Sequence, residues 1–170
     1  MSTTSALARA EATTERYRHA MEAGDPDLAL TTFAPDAVLH SPLTSALRFT
    51  GIDEIRRVVE CAFGSFANVR FHTDVGDERT RTVISSAQIG GVDIEETAVL
   101  RLNADADITE ATLFVRPLPG LVALMGEIGP ELARRAGRPW AARLLRVLVA
   151  PLRLMVRSGD GLGVRLTQPR

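Results

Sequence analysis

The chain reads as an α+β domain, and three features predict it. Apolar residues recur at three- and four-residue steps up to Phe66. The period then drops to two between Val69 and Arg116, and helical spacing returns after Pro117-Leu118-Pro119-Gly120. Helices followed by a long-stranded meander differ from alternating βαβ units, so the strands are expected to pair antiparallel.

The first helix is predicted from about Ser5 to Ala23, because Leu7, Ala10, Thr14, Tyr17 and Met21 fall on one face. Tyr17 therefore points inward, where a phenol needs a polar partner. Gly24 suits the helix stop, and Asp25-Pro26 supplies an N-cap with proline in the first turn. The second helix is expected to reach Phe33 and to break at Ala34-Pro35-Asp36. Ala37–Ser41 follows as a short strand, then residues 42–50 as a loop. Thr50-Gly51 opens a third helix with a stripe of Ile55, Val58, Val59, Ala62, Phe63 and Phe66.

Four strands follow, Val69–Val75, Arg79–Ile89, Val92–Asn103 and Ile108–Arg116, with turns at Gly76-Asp77, Gly90-Gly91 and Ala104–Asp107. Beyond them one helical piece spans Leu121–Ile128, Gly129-Pro130 restarts another that ends at Gly137, and Pro139 starts a last helix to about Arg157 with a kink at Pro151. The expected organisation is a domain over 1–117, a helical extension over 118–158 packed on it, and a loose Gly-rich tail over 159–170.

Composition narrows the function classes. A net charge of −1 over 170 residues gives no global pull towards nucleic acid. The single cysteine, Cys61, excludes an internal disulfide, makes a reducing cytoplasm the default compartment, and reads as a free, partly buried thiol. The N-terminus lacks a secretory h-region, and the longest apolar run, Trp140–Val156, is interrupted by Arg143, Arg146 and Arg153. His19, His40 and His72 lack metal-ligand spacing, and no reading of the chain calls for a cofactor.

Glu96 is the most informative polar residue. Val92, Ile94, Glu96, Ala98, Leu100 and Leu102 share one strand face, on which Glu96 is the lone charge. A buried carboxyl without a counter-ion has a raised pKa, which suits a general acid or base; a bulge that turns it outward, or an arginine or Tyr17 that satisfies it, would make it structural instead. His40 can act as a base near neutral pH, but in a straight strand it faces away from its neighbour Ser41. In the last helix Arg143, Arg146, Arg153 and Arg157 fill one sector and the rest is apolar. That pattern suits an anionic membrane surface or a cap on a lipophilic pocket or, as the favoured reading, a helix docked on its own domain or a second subunit with its arginines in water.

The ordered set Tyr17, Ala23-Gly24-Asp25, Phe33, Asp36-Ala37-Val38, Ser41-Pro42 and Gly51-Ile52, followed by the meander, resembles the NTF2-like superfamily, which includes SnoaL-type cyclases, epoxide-hydrolase-like enzymes and ketosteroid isomerases. The resemblance implies a curved antiparallel sheet wrapped around the N-terminal helices as a cone. Its apolar pocket would be lined by Phe33, Ser41, Phe63, Ala98, Leu100, Ala111, Leu113 and Val115. It also places Tyr17 at the position of the oxyanion tyrosine of ketosteroid isomerases. Ser41 stands where those enzymes have their base, and a residue close to Ala98 where they have a protonated acid. Leu113 stands where the epoxide-hydrolase pattern has an aspartate. The expectation is a small apolar ligand in the cone, with Glu96, Tyr17 and His40 as candidate catalytic residues of a cofactor-independent isomerase, cyclase or hydrolase. The alternative is a non-catalytic binding or dimerising module. A homodimer is expected, nucleic acid is not, and membrane contact through residues 140–157 is the less favoured role of the last helix.

Overall fold

A computed structural model describes residues 3–167, with side chains for residues 5–156. The elements run α1 (Thr3–Ala23), α2 (Pro26–Leu30), β1 (Phe33–His40), β2 (Arg48–Thr50), α3 (Ile52–Phe63), β3 (Phe66–Gly76), β4 (Thr80–Ile89), β5 (Val92–Leu102), β6 (Ile108–Arg116), α4 (Leu118–Arg135) and α5 (Pro139–Thr167). The strands form one six-stranded open sheet in the order β2-β1-β6-β5-β4-β3.

The meander β3–β6 pairs antiparallel throughout, as its alternation predicted. Gly90 and Gly91, at φ 56° and 76°, turn β4 into β5 in a two-residue loop closed by Ile89 opposite Val92. Both positions lie in the left-handed region that a primed hairpin turn requires. The expectation of a wholly antiparallel sheet is corrected at one pair: β1 runs parallel to β6. Parallel neighbours need a long crossover, and α3 with the whole meander provides it.

The stretch before α3 also departs from the reading. The second helix stops at Leu30, because the hydroxyls of Thr31 and Thr32 donate back to the Leu28 and Ala29 carbonyls (2.7 and 2.6 Å). Phe33 then opens β1, and Pro35 falls inside it where the register with β6 slips between Phe33 and Val38. A residue with no N–H to give is tolerated at such an irregularity. The expected loop over 42–50 contains β2, which pairs antiparallel with Val38–His40. Three residues are too few for periodicity to announce a strand. Phe66, assigned to the α3 stripe, opens β3 instead.

The C-terminal helices are longer than expected. Gly129-Pro130 does not divide the first, and α4 is continuous from Leu118 to Arg135. Leu124, Ile128 and Leu132 are anchored on both sides of the proline, and that packing outweighs the lost backbone bond. The last helix continues to Thr167 through the glycines expected to form a loose tail from residue 159. Glycine is a poor helix former, but it still donates its N–H. The Arg157 side chain and residues 168–170 lie outside the described residues.

Among the described residues two large apolar clusters build most of the interior, beside a small one of Ala10, Leu102 and Ala106. One joins Tyr17, Met21, Leu30, Phe33, Ile55, Val59, Leu100 and Ile108, and so packs α1–α3 on the sheet. The other joins Ala62, Ile89, Ile94, Leu124 and Ile128, and so packs α4 against α3 and the β4–β5 hairpin.

Candidate functional site

A cavity of about 100 Å³ lies where these clusters meet and borrows walls from both. The lining is apolar apart from Tyr17, Ser41 and Glu96. Each of the three is placed by a different element. Strand alternation puts Glu96 on the inner face of β5 with Ile94, Ala98 and Leu100. Helical spacing puts Tyr17 on the inner face of α1 with Ala10, Thr14, Ala20 and Met21. The Tyr17 ring is held edge-on between Phe33 and Phe71, with centroids 6.0 and 6.1 Å away. Such aromatic contacts restrict where the hydroxyl can point. Ser41 follows the end of β1, and its Oγ accepts a hydrogen bond from the Leu43 amide (3.2 Å), which leaves its own proton available.

Glu96 is 9% exposed and faces no arginine or lysine on the cavity wall. Burial raises its carboxyl to about 7. Burial, and next the nearby Glu96 carboxylate, also push the Tyr17 phenol well above its ordinary value. Tyr17 is therefore a proton donor at any ordinary pH, whereas Glu96 exchanges its proton near neutrality. No hydrogen bond joins the two side chains, nor either to another described residue, so both polar ends remain for whatever occupies the cavity. Buried Ser85 sits opposite Glu96 in the β4–β5 register. Its proximity was not read from the sequence, although strand pairing through the Gly90-Gly91 turn would have indicated it.

The structure brings together Tyr17, Glu96, Phe33, Ser41 and Leu113 from the expected set. It keeps the others apart. Ala98, Leu100 and Ala111 face inward but belong to the packed cluster behind the wall, Phe63 packs on that cluster's edge, and Val115 packs on the second cluster near α4. His40 faces the other side of the sheet, because Leu39 takes the inward position on β1. Its Nε2 lies 3.2 Å from Glu110 on the outer sheet surface, and Glu110 also approaches Arg101 at 3.8 Å. Cys61 is buried and its thiol is raised chiefly by that burial. Two groups of lining residues were not anticipated: Leu43, Leu47 and Phe49 from the segment leading into β2, and Leu124, Ile128, Gly129 and Leu132 from α4. The four-residue spacing of Leu124, Ile128 and Leu132 is a signal of a buried helix face, but it does not tell what that face covers.

A family model described as a SnoaL-like domain matches residues 14–111, more than half of the chain. The chain belongs to this SnoaL-like family. The match spans Tyr17 and Glu96 and ends in β6, so α4 and α5 lie beyond it. No curated protein matches the chain. Among solved structures, this SnoaL-like domain is similar to a steroid delta-isomerase from Pseudomonas aeruginosa, with 24% identity over 76% of this chain and 93% of that one and a TM-score of 0.65. It is also similar to an NTF2-like protein of unknown function from Mesorhizobium loti (13% identity, 65% and 93% coverage, TM-score 0.59). A third is SalBIII, an epoxide hydrolase/cyclase-like enzyme in pyran ring formation in polyether salinomycin (14% identity, 63% and 90% coverage, TM-score 0.55). At these identities the likeness establishes the NTF2-like fold, and the chemistry rests on the residues.

Proposed function

We propose that the chain binds a small apolar carbonyl compound in this cavity and moves a proton on it without a cofactor, in the manner of an isomerase or cyclase. The carrying observation is Glu96, a buried carboxyl with no counter-ion that shares an apolar cavity with an uncharged phenol. As a carboxylate it takes a proton from the carbon next to the carbonyl. Tyr17 donates a hydrogen bond to the carbonyl oxygen as that oxygen becomes an enolate, and Glu96 returns the proton at a different carbon. Ser41 can hold a second polar group of the ligand. His40 has no part, because it lies outside the cavity.

The cavity volume selects the ligand class. About 100 Å³ is below the roughly 300–1,000 Å³ of drug-sized sites, so a single-ring compound fits and a fused polycycle does not while α4 stays in place. A direct test uses the conversion of cyclohex-3-enone to its conjugated isomer, followed by absorbance. The proposal expects kcat/KM to rise with pH through about 7, where the base becomes ionised. Glu96→Gln should cost about 100-fold or more, and Tyr17→Phe about 10- to 100-fold. Turnover at full rate in both variants would remove the assignment.

A second reading, a non-catalytic carrier, is favoured by α4 standing across the cavity and by a serine in place of a second carboxyl. It predicts that Glu96→Gln binds cyclohexenone as well as the natural chain does, with no turnover in either. The dimer expected from the sequence also remains a proposal. The outer sheet face, with Phe114 exposed beside the His40–Glu110 pair, is its proposed surface, and light scattering tests it.

A further inference from the structure

The arginine-bearing helix docks on its own domain, but part of its apolar arc stays outside and one of its arginines turns in. Among the described side chains of α5, Ala142 and Val149 are the buried ones, and Arg153 lies on the same side, paired with Glu127 of α4 at 2.7 Å and reaching the Ala123 carbonyl at 3.3 Å. A Cβ on Gly126 would stand 2.6 Å from the Arg153 guanidinium, so this glycine makes room for the clamp. With that side turned inward, Trp140, Leu144, Val147 and Leu148 face outward. Trp140 is 68% and Val147 69% exposed. At about 100° per residue these four positions fall within a sector of roughly 100°, and Leu152 extends it. Exposed Arg143 flanks the stripe, exposed Arg146 lies further round on the same flank towards Arg153, and exposed Arg138 precedes the helix.

We infer that α5 lies on the surface of an anionic lipid leaflet, with the stripe in the acyl boundary and these arginines at the headgroups. The sign of the charge decides between a leaflet and a second copy of the helix. Residues 138–156 contain no aspartate or glutamate, so this stretch laid on the same stretch of a second copy offers the arginines no counter-charge, whereas anionic headgroups do. A tryptophan at one end and arginines along one edge suit a helix lying in the interface plane. No described helix is long and apolar enough to cross a membrane, so α5 lies on the bilayer and does not span it. α4, on which α5 rides, forms one wall of the cavity through Leu124, Ile128 and Leu132. Docking on this face therefore brings the cavity wall next to a reservoir of apolar molecules. The inference stands whether or not the cavity is catalytic.

The test is co-sedimentation of the full chain with vesicles of phosphatidylcholine alone and of phosphatidylcholine mixed with phosphatidylglycerol. Binding to the mixed vesicles is expected. Arg143→Gln with Arg146→Gln should weaken it roughly 30-fold, since each basic residue near an anionic surface contributes about a factor of five. Val147→Glu with Leu148→Glu should weaken it at least about 10-fold, because two apolar side chains no longer enter the boundary. Both pairs are exposed, so the fold tolerates the changes. Absence of binding to the mixed vesicles overturns the inference, as does binding unaffected by the glutamate pair. A dimer that the glutamate pair dissociates, in a chain that ignores vesicles, would assign the stripe to a second copy and overturns it equally.

Discussion

Glu96 carries a stability cost that depends on pH. Its carboxyl stands at about 7 in the folded chain against an ordinary 4.5, so between those limits the folded state holds a proton that the unfolded chain has released. Stability is therefore highest below about pH 4.5 as far as this group is concerned, falls as pH rises, and levels off above about 7. The gap corresponds to about 3 kcal/mol. Glu96→Gln should abolish the slope and be the more stable protein at about pH 8, as urea unfolding at a series of pH values will show. Equal slopes in both proteins would mean that the carboxyl is hydrated or paired. The residue was legible in the sequence because period-two alternation isolates a single charge on an apolar face. Its freedom from any counter-ion was not legible, since arginines on distant elements could have reached it. None of them lines its cavity, and several are engaged elsewhere.

One place where they are engaged ties helix to sheet. Arg81 is almost fully buried at the inner end of β4 and grips Asp74 of β3 through two nitrogens, at 3.1 and 2.6 Å. Thr14 of α1 donates to the other Asp74 oxygen at 2.7 Å, and Arg18 approaches it at 3.4 Å. A buried pair of this kind is expensive to break from one side. Arg81→Met should cost about 3–5 kcal/mol, and adding Asp74→Leu should restore part of that, a difference that a double-mutant cycle in urea measures. A purely additive outcome would mean that the two groups stabilise α1 independently. Little of this network could be read in advance. Alternation along β4 turns Arg81 to the same face as Val83, but which strand partner meets it depends on the bulges in β3, between Ala67 and Arg70 and between Phe71 and Thr73. Local pattern was more informative for α1, the β4–β5 hairpin and β5, where capping, turn glycines and alternation agree. It misled at Thr31-Thr32 and at Gly129-Pro130, where a side-chain hydrogen bond and tertiary packing respectively overrode propensity.

At the level of the whole molecule, α4 sets how much room the cone contains. Ile128 is buried on the cavity wall, so Ile128→Ala should enlarge the cavity at a cost of about 2–4 kcal/mol in stability. The variant should bind two-ring ketones that the natural chain rejects, which thermal shift across a size series of ketones will reveal. An unchanged size limit would place the restriction at Leu43, Leu47 or Phe49 instead. The sequence by itself determined the elements and their faces: an inward Tyr17, an inward Glu96, the meander and the ordered residues shared with the family. These follow from periods of 3.6 and 2 and from turn chemistry, all of which act within a few residues. Only the tertiary structure decided that β1 lies parallel to β6, that α4 crosses the cavity, and that α5 turns its apolar stripe outward. Each of those depends on contacts between segments far apart in the chain. An amphipathic pattern shows that a face needs a partner but does not identify it.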